Sequence, residues 1–199
     1  MKYAIVGAGA IGQALAKTFA RKGVAVAFAS RRAPEALAPV AKAIGPTVVP
    51  SSLEEAVKAD VIFLAVPFWA HRDVASAANW QDKIIVDVTN AYGVPPSDLG
   101  DRPSSAVVAQ AFGPGALVKG FNHLPARVLA QDPMVNGARR VVFLSSDAEA
   151  AIPVVSALAE QLGYAPVNLG ALAEGGRLVE GRGNAWGPLI FKDLFKQEN

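Results

Sequence analysis

The chain contains no cysteine. That absence excludes disulfides, thiolate nucleophiles and cysteine-held zinc or iron–sulfur centres. Histidine is scarce too, with His71 and His123 the only two among 199 residues. No carboxylate–histidine cluster has the spacing of a metal site, so no metal is expected. No apolar run approaches the ~20 residues that a membrane-crossing helix needs. Met1 leads straight into an apolar segment, which leaves no room for a signal peptide, so a cytoplasmic protein without membrane contact is expected. Charged residues are sparse, at 18% with a net charge of +2. They are scattered, with no aromatic-rich basic stripe, and no nucleic-acid partner is expected. The Gly-x-Ser-x-Gly elbow and the Gly-x-x-x-x-Gly-Lys-Ser/Thr loop are also missing, which removes two common enzymatic frameworks.

Apolar residues are plentiful, at 52%, enough for a sizeable core. One stretch near the amino terminus organises the rest. Tyr3 to Val6 is a short uncharged run suited to a strand buried on both faces. Gly7, Gly9 and Gly12 follow in the pattern Gly-x-Gly-x-x-Gly, and then Ile11, Leu15 and Phe19 recur four apart until Gly23 can end a helix. The first glycine permits a sharp turn, the second lets a pyrophosphate approach the backbone, and the third lets helix and strand pack closely. The free N–H groups and positive end of the helix suit phosphates. In this strand–turn–helix context the motif points to a dinucleotide.

A second strand, Val24 to Ala29, ends at Ser30-Arg31-Arg32. A site for NAD places Asp or Glu here, about 20 residues beyond the glycines, to bind the ribose hydroxyls. A carboxylate would repel the additional phosphate of NADP, whereas a hydroxyl and two guanidiniums accept it through charge-assisted hydrogen bonds. NADP(H) is therefore the expected cofactor.

The remaining chain alternates strand and helix. A helix is expected over 33–44, with Pro34 in its first turn and Pro39 interrupting it. A brief strand follows over 47–49, then a capping box of Ser51 with Glu54 leading a short helix to Lys58. Strands are expected over 61–66, 84–88, 117–121, 140–145 and 166–169. Helices are expected over 69–79, over 106–112 with Ser104 or Ser105 as its cap, and over 148–162. Tyr92 to Pro103, rich in Pro, Gly and Asp, reads as a loop over the ligand crevice or a hinge beside it. Parallel neighbours need crossover connections, so the alternation predicts a Rossmann-type doubly wound α/β fold with a mostly parallel sheet. Residues 1–170 would form the nucleotide-binding domain, and 171–199, with Trp186, Phe191 and Phe195, a small carboxy-terminal extension.

Ligands of such sheets lie beyond the carboxyl ends of the strands. Ala8, Ser30, Val66, Pro67, Thr89 and Asn90 should face one crevice. Of the two histidines, His71 reads as a surface or packing residue. His123, after the sixth strand and beside Asn122, is the candidate to face cofactor or substrate and the one candidate catalytic residue, whether by doing chemistry or only by lining the site. Asp87 lies inside a strand and needs a hydrogen-bonding partner. With hydrolytic and metal chemistry gone, hydride transfer remains, in which a cofactor carries the chemistry and the protein supplies orientation.

The segments Ile5-Val6-Gly7-Ala8-Gly9-Ala10-Ile11-Gly12, Ala29-Ser30-Arg31-Arg32, Leu64-Ala65-Val66-Pro67 and Lys119-Gly120-Phe121-Asn122-His123-Leu124-Pro125-Ala126 resemble the coenzyme F420-dependent NADP oxidoreductase family. They are similar as well to the reductase domain of the STEAP metalloreductases. The resemblance implies NADPH with its diphosphate on residues 7–12 and its 2′-phosphate at Ser30, Arg31 and Arg32. It places the cofactor's middle against Val66 and Pro67, and its nicotinamide end at Asn122 and His123; Ala65, Thr89 and Asn90 are expected to bind the cofactor as well. It further implies hydride exchange with a small-molecule acceptor, F420, FMN or another flavin, and a homodimer whose carboxy-terminal lobe completes the acceptor site. A flavin-chelated ferric acceptor stands beside these. Two alternatives stay open: a non-catalytic NADP(H)-binding redox sensor, and a hydroxy-acid or prephenate-type dehydrogenase. The latter would need a large helical second domain, for which too little chain remains.

Overall fold

In the computed structural model, which describes residues 1–181 and 195–197, six parallel strands form the centre of the sheet. They are β1 (Tyr3–Val6), β2 (Val26–Ala29), β3 (Val48–Ser51), β4 (Val61–Leu64), β5 (Ile84–Asp87) and β6 (Ala116–Gly120), in the order β3-β2-β1-β4-β5-β6. This is the doubly wound order expected from the sequence. Beyond β6 come β7 (Met134–Val135), β8 (Ala138–Ser145), β9 (Ala165–Asn168) and β10 (Phe195–Gln197). β8 runs antiparallel to β6, β7 and β10 and parallel to β9. The helices are α1 (Ala10–Arg21), α2 (Pro34–Ile44), α3 (Leu53–Ala56), α4 (His71–Ala75), α5 (Pro96–Leu99), α6 (Ser104–Phe112), α7 (Ala126–Leu129) and α8 (Ala151–Gln161). Residues 182–194 and 198–199, with Trp186 and Phe191 of the expected extension, lie outside the described residues. Among the described residues no helix is long and apolar enough to cross a membrane.

Side-chain alternation divides the core in two. Ile5, Phe63, Val86 and Val118 face α1, α2, α7 and α8. Ala4, Val6, Ile62, Leu64, Ile85 and Leu117 face α3, α4 and α6. Both faces are covered, which is why these strands read as unbroken apolar runs. On the first face the rings of Tyr3, Phe19, Phe63, Phe121 and Tyr164 form a chain of edge contacts, with successive centroids 5.7, 5.5, 5.6 and 5.5 Å apart. Each such pair adds about 0.5–1.5 kcal/mol beyond its buried area.

Several expected elements are corrected by longer-range contacts. α2 runs unbroken through Pro39, whose ring lies on the exposed side. The helical cap after β3 is Ser52, which accepts the Glu55 N–H at 3.2 Å, because Ser51 is held in β3 opposite Ala29. The helix expected over 69–79 is a 3-10 turn at Phe68–Ala70 followed by the short α4. It stops because the Trp80 indole N–H donates to the Ala75 carbonyl at 2.7 Å while the Trp80 ring packs on Phe112. Ser104 and Ser105 are inside α6 and do not cap it. The Glu180 carboxylate accepts the Ser104 N–H instead.

Asp87 finds its partner across the sheet. It lies opposite Lys119 in the β5–β6 register. Lys119 Nζ is 3.0 Å from Asp87 Oδ2, and both side chains are fully buried. The ammonium also donates to the Thr89 carbonyl, while Asp87 Oδ1 accepts the Thr89 N–H at 2.9 Å. The pair thus grips the backbone turn that leaves β5. His71 is buried nearby, with Nδ1–H donating to the Phe68 carbonyl. Burial, the largest influence, holds its imidazole below the ordinary value of 6.5.

Removing one member of the buried pair leaves the other charge uncompensated. Lys119→Met should cost about 3–5 kcal/mol in urea unfolding, and adding Asp87→Asn should recover much of it; equal losses in the single and double variants would contradict the pairing. For His71 the unfolded chain binds the proton more tightly than the folded chain. The stability due to the neutral ring is complete above pH 6.5 and is lost as pH falls below it, through the lower folded value. Acidification across that window should therefore destabilise the native protein more steeply than the His71→Gln variant, as read by urea midpoints at each pH.

Candidate functional site

The β1–α1 turn is built from backbone contacts. Gly7 has φ +121°, and a Cβ there would overlap the Ala65 carbonyl, 2.5 Å from its carbon. A Cβ on Gly12 would overlap the Gly7 carbonyl, 2.9 Å from its carbon. Gly9 differs, since nothing lies within 4 Å of where its Cβ would be. So Gly7 and Gly12 let α1 start directly against β1 and β4, while Gly9 leaves an open approach. Gly9 is also the residue ahead of α1 and provides no side-chain cap, and the first turn carries no acidic residue. The positive end of α1 is left for an outside anion.

That turn opens into a cavity of about 410 Å³ lined by Gly7, Ala8, Gly9, Ser30, Arg31, Arg32, Val66 and Pro67 among others. Leu53, Ala70 and Val74 give it an apolar wall, and Asp73 adds one carboxylate. The Ser30 hydroxyl accepts the Arg32 N–H at 3.0 Å, which folds the chain end of β2 around the rim. Both arginines are exposed, and among the described residues neither is in an ion pair.

A second cavity of about 300 Å³ continues from Ala65 and Val66, lined by Ile11, Val88, Thr89, Asn90, Tyr92, Asn122, Leu124 and Pro125. Its floor is an amide clamp. Asn90 Nδ2 donates to the Asn122 carbonyl at 2.9 Å, and Asn122 Nδ2 donates to Asn90 Oδ1 at 3.0 Å and to the Val179 carbonyl at 2.8 Å. Two acceptors on Nδ2 fix the orientation of the Asn122 amide, leaving its Oδ1, like Thr89 Oγ1, buried without a partner among the described residues. A buried polar atom left this way requires a ligand or water. A nicotinamide carboxamide has both a donor and an acceptor to offer them. An uncapped helix for a diphosphate, two cations for a further phosphate, and these two oxygens for an amide all suit NADP(H).

His123 departs from its expected role. It is buried and does not line either cavity, its Nε2 lies 3.2 Å from the Val141 carbonyl and its ring packs on Phe143. The cause is Phe121, whose φ of +60° turns the chain after β6, so that Asn122 lines the second cavity while His123 packs against β8. A bulky residue in that region costs about 1–3 kcal/mol, offset here by the Phe121 ring between Phe63 and Tyr164. Ala10 and Gly12 support the turn without lining either cavity. Sequence reasoning did not single out Tyr92, Asp73, Leu53, Leu124 or Pro125, although Tyr92 opens the loop expected over the crevice and Leu124 and Pro125 lie in the segment following His123. Among the described residues no group of three or more His, Asp or Glu is placed to hold a metal ion.

Residues 2–91 match the family described as NADP oxidoreductase, coenzyme F420-dependent. The solved structure of a hypothetical protein of Sinorhizobium meliloti, SMa0349, superposes with a TM-score of 0.91 at 39% identity, covering 99% of this chain and 96% of that one. A candidate F420-dependent NADP-reductase of Arthrobacter sp. FB24 superposes with a TM-score of 0.73 at 25% identity, with 90% of each chain covered. Metalloreductase STEAP3 of Rattus norvegicus is 31% identical over 175 residues, 86% of this chain. The chain spans only 34% of that relative's length. Residues 2–91 therefore carry an F420-dependent NADP oxidoreductase family domain.

Proposed function

We propose that the protein binds NADP(H) and exchanges a hydride between it and a deazaflavin (F420) or flavin-type acceptor. The observation that carries this reading is the arginine pair, which opens into the same cavity as the glycine turn. Gly9 and the start of α1 would hold the diphosphate, and Ser30, Arg31 and Arg32 the 2′-phosphate. Asn122 Oδ1 and Thr89 Oγ1 would orient the carboxamide. Bound NADPH supplies a hydride from its nicotinamide ring and becomes NADP+, while the acceptor ring gains that hydride and takes a proton from solvent.

The second cavity supports an acceptor of this kind. Of its described lining residues only Tyr92 carries a titratable group. Reduction of a carbonyl or imine calls for a positioned acid of suitable pKa, whereas a flavin-type ring exposed to water takes its proton without one. The apolar walls formed by Ile11, Val66, Leu124 and Pro125 suit an aromatic surface.

The direct test mixes protein and NADPH with F420, FMN, riboflavin or a carbonyl compound and follows the reduced-nicotinamide absorbance. Turnover with one of the ring acceptors is expected; turnover only with the carbonyl compound would refute the acceptor assignment. Replacing both Arg31 and Arg32 with Ala removes two charge-assisted contacts of about 1.5–3 kcal/mol each. NADPH affinity should fall by about a hundred-fold or more while NADH affinity changes little, as measured by titration calorimetry. Equal losses for the two nucleotides would exclude a phosphate-binding role for this pair.

A further inference from the structure

Tyr92 is 64% exposed, yet it lines the second cavity and is the only aromatic side chain among that cavity's described lining residues. Its position is set from two directions. It lies two residues beyond Asn90, which the amide clamp holds to Asn122. Its phenol end rests on Gly181, where a Cβ would fall 2.6 Å from the Tyr92 Cζ. Gly181 itself donates its N–H to Asn90 Oδ1 at 3.2 Å. The absence of a side chain at 181 therefore lets the ring lie against this backbone, and one amide anchors both segments. Around it stand Ile11, Val66, Leu124 and Pro125, all apolar.

We propose that the Tyr92 ring is the platform on which the planar aromatic acceptor stacks, at the open end of the nicotinamide cavity. This rests on the hydride-transfer reading above and adds the residue that selects a ring-shaped acceptor. A held, partly exposed ring offers its face to a second ring with little further loss of freedom. A proton-donor role fits less well. Burial raises the phenol above its ordinary 10.0, away from the pKa that an acid working near neutrality requires.

The test measures binding apart from turnover. Protein saturated with NADP+ is titrated into riboflavin and into FMN, following flavin fluorescence, and into F420, following F420 fluorescence. The proteins compared are native, Tyr92→Phe and Tyr92→Ala. The platform predicts quenching of at least one fluorophore by native protein, similar affinity for Tyr92→Phe, and about ten-fold weaker binding for Tyr92→Ala. NADP+ affinity, measured separately by calorimetry, should be the same in all three. Unchanged binding in Tyr92→Ala, equal losses in both variants, or no binding of any fluorophore by native protein would each overturn the proposal. Failure of the underlying reading looks different, since native protein would then either not bind NADP+ or oxidise NADPH with none of the ring acceptors.

Discussion

The contact on which the site depends is between backbones. Gly12 lies against the Gly7 carbonyl, and Gly7 against Ala65. No side chain fits at either point, so α1 begins directly behind β1 and β4. Its uncapped amino end then points into the groove left by the parallel strands. The positive features of the first cavity follow from that placement, with the Asp73 carboxylate set against them from α4. The helix supplies a positive end with no acidic residue in its own first turn, and the end of β2, paired alongside β1, brings Arg31 and Arg32 to the same rim.

The second cavity is stiffened differently, by polar groups buried in apolar surroundings. The Asp87–Lys119 pair holds both the N–H and the carbonyl of Thr89. The Asn90–Asn122 clamp continues that grip into the next two chain segments. Buried charges of this kind are weak evidence for net stability, because desolvation offsets most of their attraction. Their effect here is positional. They leave the Thr89–Asn90 backbone little freedom, and Thr89 and Asn122 line the cavity whose oxygens await a partner.

What the sequence makes legible is local. Glycine spacing, the Ser30-Arg31-Arg32 end of β2 and the apolar runs depend on neighbours a few residues apart, and the alternation of strand and helix gives a mostly parallel sheet because parallel neighbours need crossovers. Features set by distant pairing are not legible. Lys119 reads as one polar residue in a strand until the β5–β6 register puts it opposite Asp87. His123 looks like a site residue because it follows a strand, but the φ of Phe121 decides which way it faces. The cap of α6 comes from Glu180, 76 residues away, so the nearby serines misled. Tyr92 opens a loop that the Pro- and Gly-rich sequence places near the crevice, but nothing local says which of the loop's side chains lines the cavity.

Three hydrogen bonds carry the segment around residue 180 back to the crevice: Glu180 to Ser104, Asn122 to Val179 and Gly181 to Asn90, across 76, 57 and 91 residues. Contacts of such long separation form late, after much chain entropy has been lost. A chain emerging amino end first therefore presents all six parallel strands before the segment that ties Asn90 and Asn122 down from the carboxy-terminal side. Any ligand that binds the closed crevice more tightly than the open one would draw that late segment home by mass action.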